Sequence, residues 1–258
     1  MCAEAPCTPL EVWHVTELGN GAVCLDDDGF SLALPAGRSS RYHDAQISDY
    51  AKRADFSNQP PLRLSLRART RGELCGTAGF GFWNHAFLPG QHSYRLPQAI
   101  WFFFAGPRSE VALAKGVPGS GWKAATFNAR SWRFFALLPL APLGFLLMRN
   151  AMLYNSLWSL GQRAIGVNEA PLDASLLNDW RRYSIDWRAG AAIFAVDGEV
   201  VLQAENVTRG KLGFIAWIDN QYAIVTPQGR FGWGTLDVPR NQSLHLRDIQ
   251  ITKLAPQG

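Results

Sequence analysis

Leu62-Arg-Leu-Ser-Leu-Arg-Ala68, Gly79-Phe-Gly-Phe-Trp-Asn84 and Ala99-Ile-Trp-Phe-Phe-Phe104 are the stretches that decide the fold. In the first, Leu62, Leu64, Leu66 and Ala68 make an apolar face, and Arg63, Ser65, Arg67 and Arg69 make a polar one. Period-two alternation of this kind belongs to a strand with one buried face, as in an antiparallel sheet. Glycines interrupt the second stretch between aromatic residues, and a glycine inside a strand leaves room for close approach by a ligand or another backbone. The third is apolar on both faces, and at least Phe102 and Phe104 are expected to face a core.

Further strands follow outward from these. Glu11–Val15 and Phe30–Leu34 flank a turn at Asp26-Asp-Asp-Gly29, where solvated aspartates and a glycine suit tight geometry better than a calcium site, which needs six or more converging oxygens. Tyr42–Tyr50 reads as another strand, and Asn58-Gln-Pro-Pro61 breaks the chain before Leu62. The last third supplies Tyr183–Trp187, Ala192–Val196, Val200–Gln203, Lys211–Trp217 and Leu244–Ile251, with Asp197-Gly198 as a hairpin turn tolerant of positive φ. Many short strands with turn punctuation predict an all-β, two-sheet antiparallel jelly-roll sandwich. No repeat or long linker divides the 258 residues, so one domain over 1–258 is expected.

Composition narrows the function. Ten Trp and fifteen Phe provide for a large core with aromatic surface left over for a site. The formal charge of +4 is spread over scattered arginines, which argues against nucleic acid. Cys2, Cys7, Cys24 and Cys75 lack metal-ligand spacing, and no phosphate-cradling loop is present, so neither a metal nor another cofactor is expected. Met1–Pro9 has no basic start followed by an apolar stretch, so the expected location is cytoplasmic, or secreted if a leader is missing.

Leu62–Asn84, together with Trp180-Arg-Arg-Tyr-Ser-Ile-Asp-Trp187 and Ala195-Val-Asp-Gly-Glu-Val200, resembles the concanavalin A-like lectin/glucanase superfamily, including the laminarinase-type family-16 glycoside hydrolases. The resemblance covers roughly residues 60–105 and 178–251. It implies a carbohydrate ligand. Those hydrolases carry Glu-x-Asp-x-x-Glu on one strand face, whereas this chain has apolar and aromatic residues around Trp101. Glycoside hydrolysis needs two carboxyl groups flanking the scissile bond, and no pair occurs there. Asp44 with Asp49, Asp197 with Glu199, Glu169 with Asp173, and Asp237 all sit beside turn signals, where solvated carboxylates are expected.

The reading is therefore non-hydrolytic binding of a carbohydrate or partly apolar small ligand. Trp83, Trp101, Phe103, Trp217 and Tyr222 offer ring surface, and Asn84, His85, Asp219 and Asn220 offer polar groups to orient the ligand. One alternative is a divergent glycosidase using loop carboxylates, or a lyase in which Arg67, His85, Gln221 and Tyr222 assemble. Another is a structural or homodimerising module.

The remaining segment, Arg130–Ala170, is different in character. Phe134–Met148 is almost wholly apolar but shorter than the ~20 residues that span a bilayer, and it contains Pro139 and Pro142. Leu147, Ala151, Tyr154, Trp158 and Ile165 fit one helical stripe. A helical insertion over 134–166, packed on the sandwich, is expected. It is read as an edge cover, a lid, a dimer surface or an interfacial membrane contact through 134–149, with Arg130, Arg133 and Arg149 near the headgroups.

Overall fold

A computed structural model describes residues 13–26, 29–38, 41–52, 55–84 and 96–255. Its strands are β1 (His14–Leu18), β2 (Ala22–Asp26), β3 (Gly29–Leu34), β4 (Asp44–Ser48), β5 (Leu62–Arg71) and β6 (Thr77–Trp83). Then come β7 (Gln98–Ala105), β8 (Glu110–Val111), β9 (Gly121–Asn128), β10 (Asn168–Leu172), β11 (Arg181–Arg188) and β12 (Ala191–Val196). The chain closes with β13 (Glu199–Glu205), β14 (Gly213–Asp219), β15 (Gln221–Val225), β16 (Phe231–Thr235) and β17 (Gln242–Lys253). Helices α1 (Trp132–Leu137), α2 (Ala141–Leu147) and α3 (Ala151–Ala164) lie between β9 and β10.

Two seven-stranded antiparallel sheets form the sandwich. Sheet A runs β1-β4-β14-β6-β7-β9-β10 and sheet B runs β13-β12-β11-β5-β17-β3-β2; β16, β15 and β8 form a small third sheet. The all-β jelly-roll expectation holds. Alternation on β5 sends Leu62, Leu64, Leu66 and Ala68 inward, where they meet Phe80, Phe82, Ile100 and Phe102 from sheet A in one core. Phe102 lies at its centre, with ring centroids 5.0 Å from Tyr183, 5.3 Å from Phe194 and 5.5 Å from Phe80. Burying each such ring is worth about 1.5–3 kcal/mol. The Asp197-Gly198 turn has φ of 50° and 89°, the left-handed pair that a two-residue hairpin of this hand requires.

Some boundaries differ from expectation. The first strand begins at His14, and Glu11 and Val12 lie outside the described residues. Asp26 pairs with Gly29 across the β2–β3 turn, whose tip also lies outside them. The helical segment is in three pieces. Ser131 caps α1 by accepting from the Phe134 amide, Pro139 stands between α1 and α2, Pro142 stands in the first turn of α2, and Asn150 caps α3. The expected stripe packs only in part: Trp158 is buried and its Nε1 donates to the Leu113 carbonyl at 2.7 Å, but Leu147 is exposed. Trp158 anchors the segment, and much of the apolar surface around it faces outward.

Candidate functional site

Because Phe80, Phe82, Ile100, Phe102, Phe214 and Ala216 point into the core, their strand neighbours Gly79, Gly81, Trp83, Ala99, Trp101, Phe103 and Trp217 lie on the outward face of sheet A. Register puts Gly79 between Trp217 and Phe103, and Gly81 beside Trp101. Four predicted rings thereby converge. Trp101 has ring-centroid distances of 6.1 Å to Trp83, 5.4 Å to Phe103 and 5.2 Å to Trp217, and Phe103 lies 6.1 Å from Trp217. A Cβ on Gly79 would stand 2.9 Å from Trp217 Cη2, and one on Gly81 would stand 2.6 Å from Trp101 Cα. The room left by Gly79 is thus filled by the protein's own indole. Trp83, Trp101 and Phe103 remain half-buried, and Trp217 is buried.

Two indole N–H groups are already engaged. Trp83 Nε1 donates to Tyr50 Oη at 2.6 Å, and Trp217 Nε1 donates to Thr77 Oγ1 at 3.0 Å. Tyr50 lies against Gly213, at a spot where no other residue type would fit beneath its ring. Sequence reading misses both partners, although Thr77 shares the outward face of β6 with Gly79 by simple alternation.

The predicted polar groups fare differently. Asn84 is buried; its Nδ2 donates to the Leu96 carbonyl and its Oδ1 accepts from the Gln98 amide, so it ties the end of β6 to the start of β7. Asn220 is wholly buried, accepting from the His43 amide and donating to the Arg41 and Leu236 carbonyls. Both are corrected from ligand-orienting groups to internal braces, because their hydrogen-bonding atoms are consumed by backbone. Tyr222 stands on β15 with the Arg108 guanidinium 4.7 Å above its ring, and makes no ring contact with the four outward aromatics among the described residues. His85 lies outside the described residues. The lyase constellation also separates: Arg67 is on β5 of sheet B, on the far side of the core from β15, and its guanidinium lies 5.8 Å from the Trp180 ring.

The acids overturn another expectation. Asp44 and Asp219 are cross-strand partners on the outward face, and both are buried. Asp219 Oδ1 accepts from the Thr77 amide, Thr77 Oγ1 and the Gln221 amide, and Oδ2 accepts from Tyr42 Oη. Burial outweighs these donors and pushes the Asp219 carboxyl up to about 6. Asp44 Oδ1 has no hydrogen-bond partner; burial first, and then the charge of Asp219, hold this carboxyl well above the usual carboxylate range. Asp49 accepts from the Phe214 amide and Asn58, and burial raises it too. Across the sheet, buried Glu169 accepts from the Ala114 amide and lies 3.8 Å from buried Lys123, whose Nζ donates to the Val111 carbonyl. Burial raises Glu169 and lowers Lys123, each against the pull of the other's charge. Asp44, Asp49 and Glu169 are thus not solvated turn carboxylates. No cluster of three or more His, Cys, Asp or Glu suited to a metal ion occurs among the described residues.

Two segments that leave sheet A at opposite ends meet each other. The helical segment leaves at Asn128 and β15 leaves at Asp219, yet Phe145 of α2 meets Phe231 of β16 with centroids 6.4 Å apart. An aromatic floor with a buried carboxyl pair at one end is the result.

This architecture is a concanavalin A-like jelly-roll fold. An apo Crh5 transglycosylase is similar at 11% identity, with 97% of this chain and 82% of that one covered and a TM-score of 0.53. An endo-acting O-glycanase from the human gut microbiota matches at 11% identity, 96% and 94% coverage and a TM-score of 0.51. The exoplasmic/lumenal domain of VIP36, in a form bound to Ca2+ and Man2, matches at 11% identity, 96% and 83% coverage and a TM-score of 0.51. No protein-family model and no curated protein sequence matches the chain. At these identities the likeness establishes the fold.

Proposed function

We propose that the outward face of sheet A binds a carbohydrate or a partly apolar small ligand without cleaving it. The observation that carries this reading is the occupancy of β7. Its outward positions hold Ala99, Trp101 and Phe103, and the two rings join Trp83 and Trp217 in one aromatic floor. Aromatic surfaces pack against the C–H faces of sugars, and a few fixed polar groups at the edge supply orientation. Lectin-type and glycan-processing proteins among the structural neighbours agree with a carbohydrate ligand. A glycan and metabolite binding screen, run in parallel on Trp101→Ala, tests it. A ligand whose affinity falls about ten-fold or more in the variant, a loss of 1.4 kcal/mol, supports the placement; equal binding by the variant removes it.

A second reading, a divergent glycosidase, is favoured by the Asp44–Asp219 pair. Two neighbouring carboxyls with raised pKa values are the raw material of acid–base catalysis. Against it, Asp219 is saturated by four donors and both side chains are shut away from solvent. Glycan cleavage abolished by Asp219→Asn would establish the hydrolytic reading.

A further inference from the structure

Exposed apolar surface is concentrated in one place. Of the sixteen large apolar side chains that stand most exposed among the described residues, ten lie between Trp132 and Leu160 and two more, Phe231 and Trp233, lie on β16. The Phe145–Phe231 contact joins the groups into one surface. Met152 is 83% exposed, Trp233 76% and Trp132 74%. Soluble monomers rarely leave a contiguous apolar surface of this kind uncovered.

The charges around it have one sign. From Val111 to Asn168 the chain contains no Asp or Glu. Lys115, Arg130, Arg133, Arg149 and Arg163 in that span are all exposed. On the β16 side, Glu110 is neutralised by Arg230 at 2.9 Å. A second copy of the chain, docked through the same surface, would bring these cations against one another. An anionic lipid surface accepts both features at once, with apolar side chains entering the acyl boundary and arginines at the phosphates. Spanning is excluded for these helices: α1 and α2 have 6 and 7 residues, and no helix among the described residues is long and apolar enough to cross a membrane.

We propose that α1, α2 and β16 form a docking surface that lies on an anionic bilayer, with Trp132 and Trp233 at headgroup depth. This surface is independent of the ligand reading above. Sedimentation of the full chain with vesicles tests it, using phosphatidylcholine alone or mixed in equal parts with phosphatidylserine. The protein is expected to pellet with the mixed vesicles, with the bound fraction falling about ten-fold on pure phosphatidylcholine or in molar salt. Leu140→Asp combined with Leu146→Asp, both at exposed positions and therefore compatible with folding, is expected to stay in the supernatant while its thermal unfolding matches the parent. Failure of the parent to pellet with mixed vesicles, or equal pelleting by the double variant, overturns the proposal. So does a vesicle-free dimer, seen by light scattering, that the same double variant dissociates.

Discussion

Arg63, Ser65, Arg67, Arg69 and Arg71 stand on the outward face of β5, whereas Ala99, Trp101 and Phe103 stand on the outward face of β7. The first face carries its arginines exposed or half-buried. Arg67, Arg69 and Arg247 gather around the Trp180 ring at 5.8, 4.8 and 4.7 Å, and the guanidinium of Arg63 is paired with Asp186. A shared indole face lets these like charges sit side by side there. On sheet A the second face keeps Trp101 and Phe103 half-buried, and Asp44, Asp219, Lys123 and Glu169 are all buried on it. The two faces of one sandwich therefore differ: on one, arginines share an indole and an ion pair, and on the other, carboxyls and a lysine are stored out of water.

The largest expected effect separates the inside of β7 from its outside. Phe102→Ala empties the centre of the core and is expected to cost about 3–5 kcal/mol, read by chemical denaturation. Trp101→Ala, one residue away and half-buried, is expected to cost less than half as much. Equal losses would mean that Trp101 belongs to the core and not to a site.

The next effect concerns the stored carboxyls. A folded-state pKa raised to about 6 for Asp219 means that the native protein keeps a proton which the unfolded chain releases near its ordinary value of 3.8. Stability from this group is therefore full below about pH 4 and is lost as pH rises through about 6, by roughly 3 kcal/mol. Asp44 pulls in the same direction. Asp219→Asn is expected to flatten the fall in stability between those pH values, and an unchanged slope would place Asp219 in water.

Gly79→Ala comes third. Its methyl would meet the Phe102 carbonyl and the Trp217 ring, so a loss of about 1–3 kcal/mol is expected, with a shift in tryptophan fluorescence as the indole is displaced. The smallest effect belongs to sheet B. Arg182 is exposed and lies directly across from Arg67, so Arg182→Ser is expected to change stability by no more than about 0.5 kcal/mol.

The contrast between faces also explains what could be read from the chain. A strand with one wet face advertises itself, as Leu62–Ala68 does, and the Asp197-Gly198 turn marks the late hairpin equally well. Short apolar and aromatic runs likewise put Trp101, Phe103 and Trp217 on strands that the register then aligned. Gly121–Asn128 and Asn168–Leu172 gave no such signal, because Lys123, Ala125 and Glu169 on their outward side are covered along with Trp122 and Ala124 on the inner one. The Asp44–Asp219 partnership depends on pairing between strands far apart in the chain, which no local pattern encodes. Asn84 and Asn220 illustrate the opposite error: a polar residue next to an aromatic one reads as a ligand group until its amide is seen bound to backbone. The helical stripe was visible, but nothing local revealed how much apolar surface the segment would leave uncovered.

We propose that the rings on β7 hold a glycan and leave it uncut. Mass spectrometry of a screened glycan after prolonged incubation, with bound and free fractions separated, tests it most directly. An intact glycan, retained by the parent protein and released by Trp101→Ala, is expected. Shortened glycan products formed by the parent, and abolished by Asp219→Asn, would contradict it.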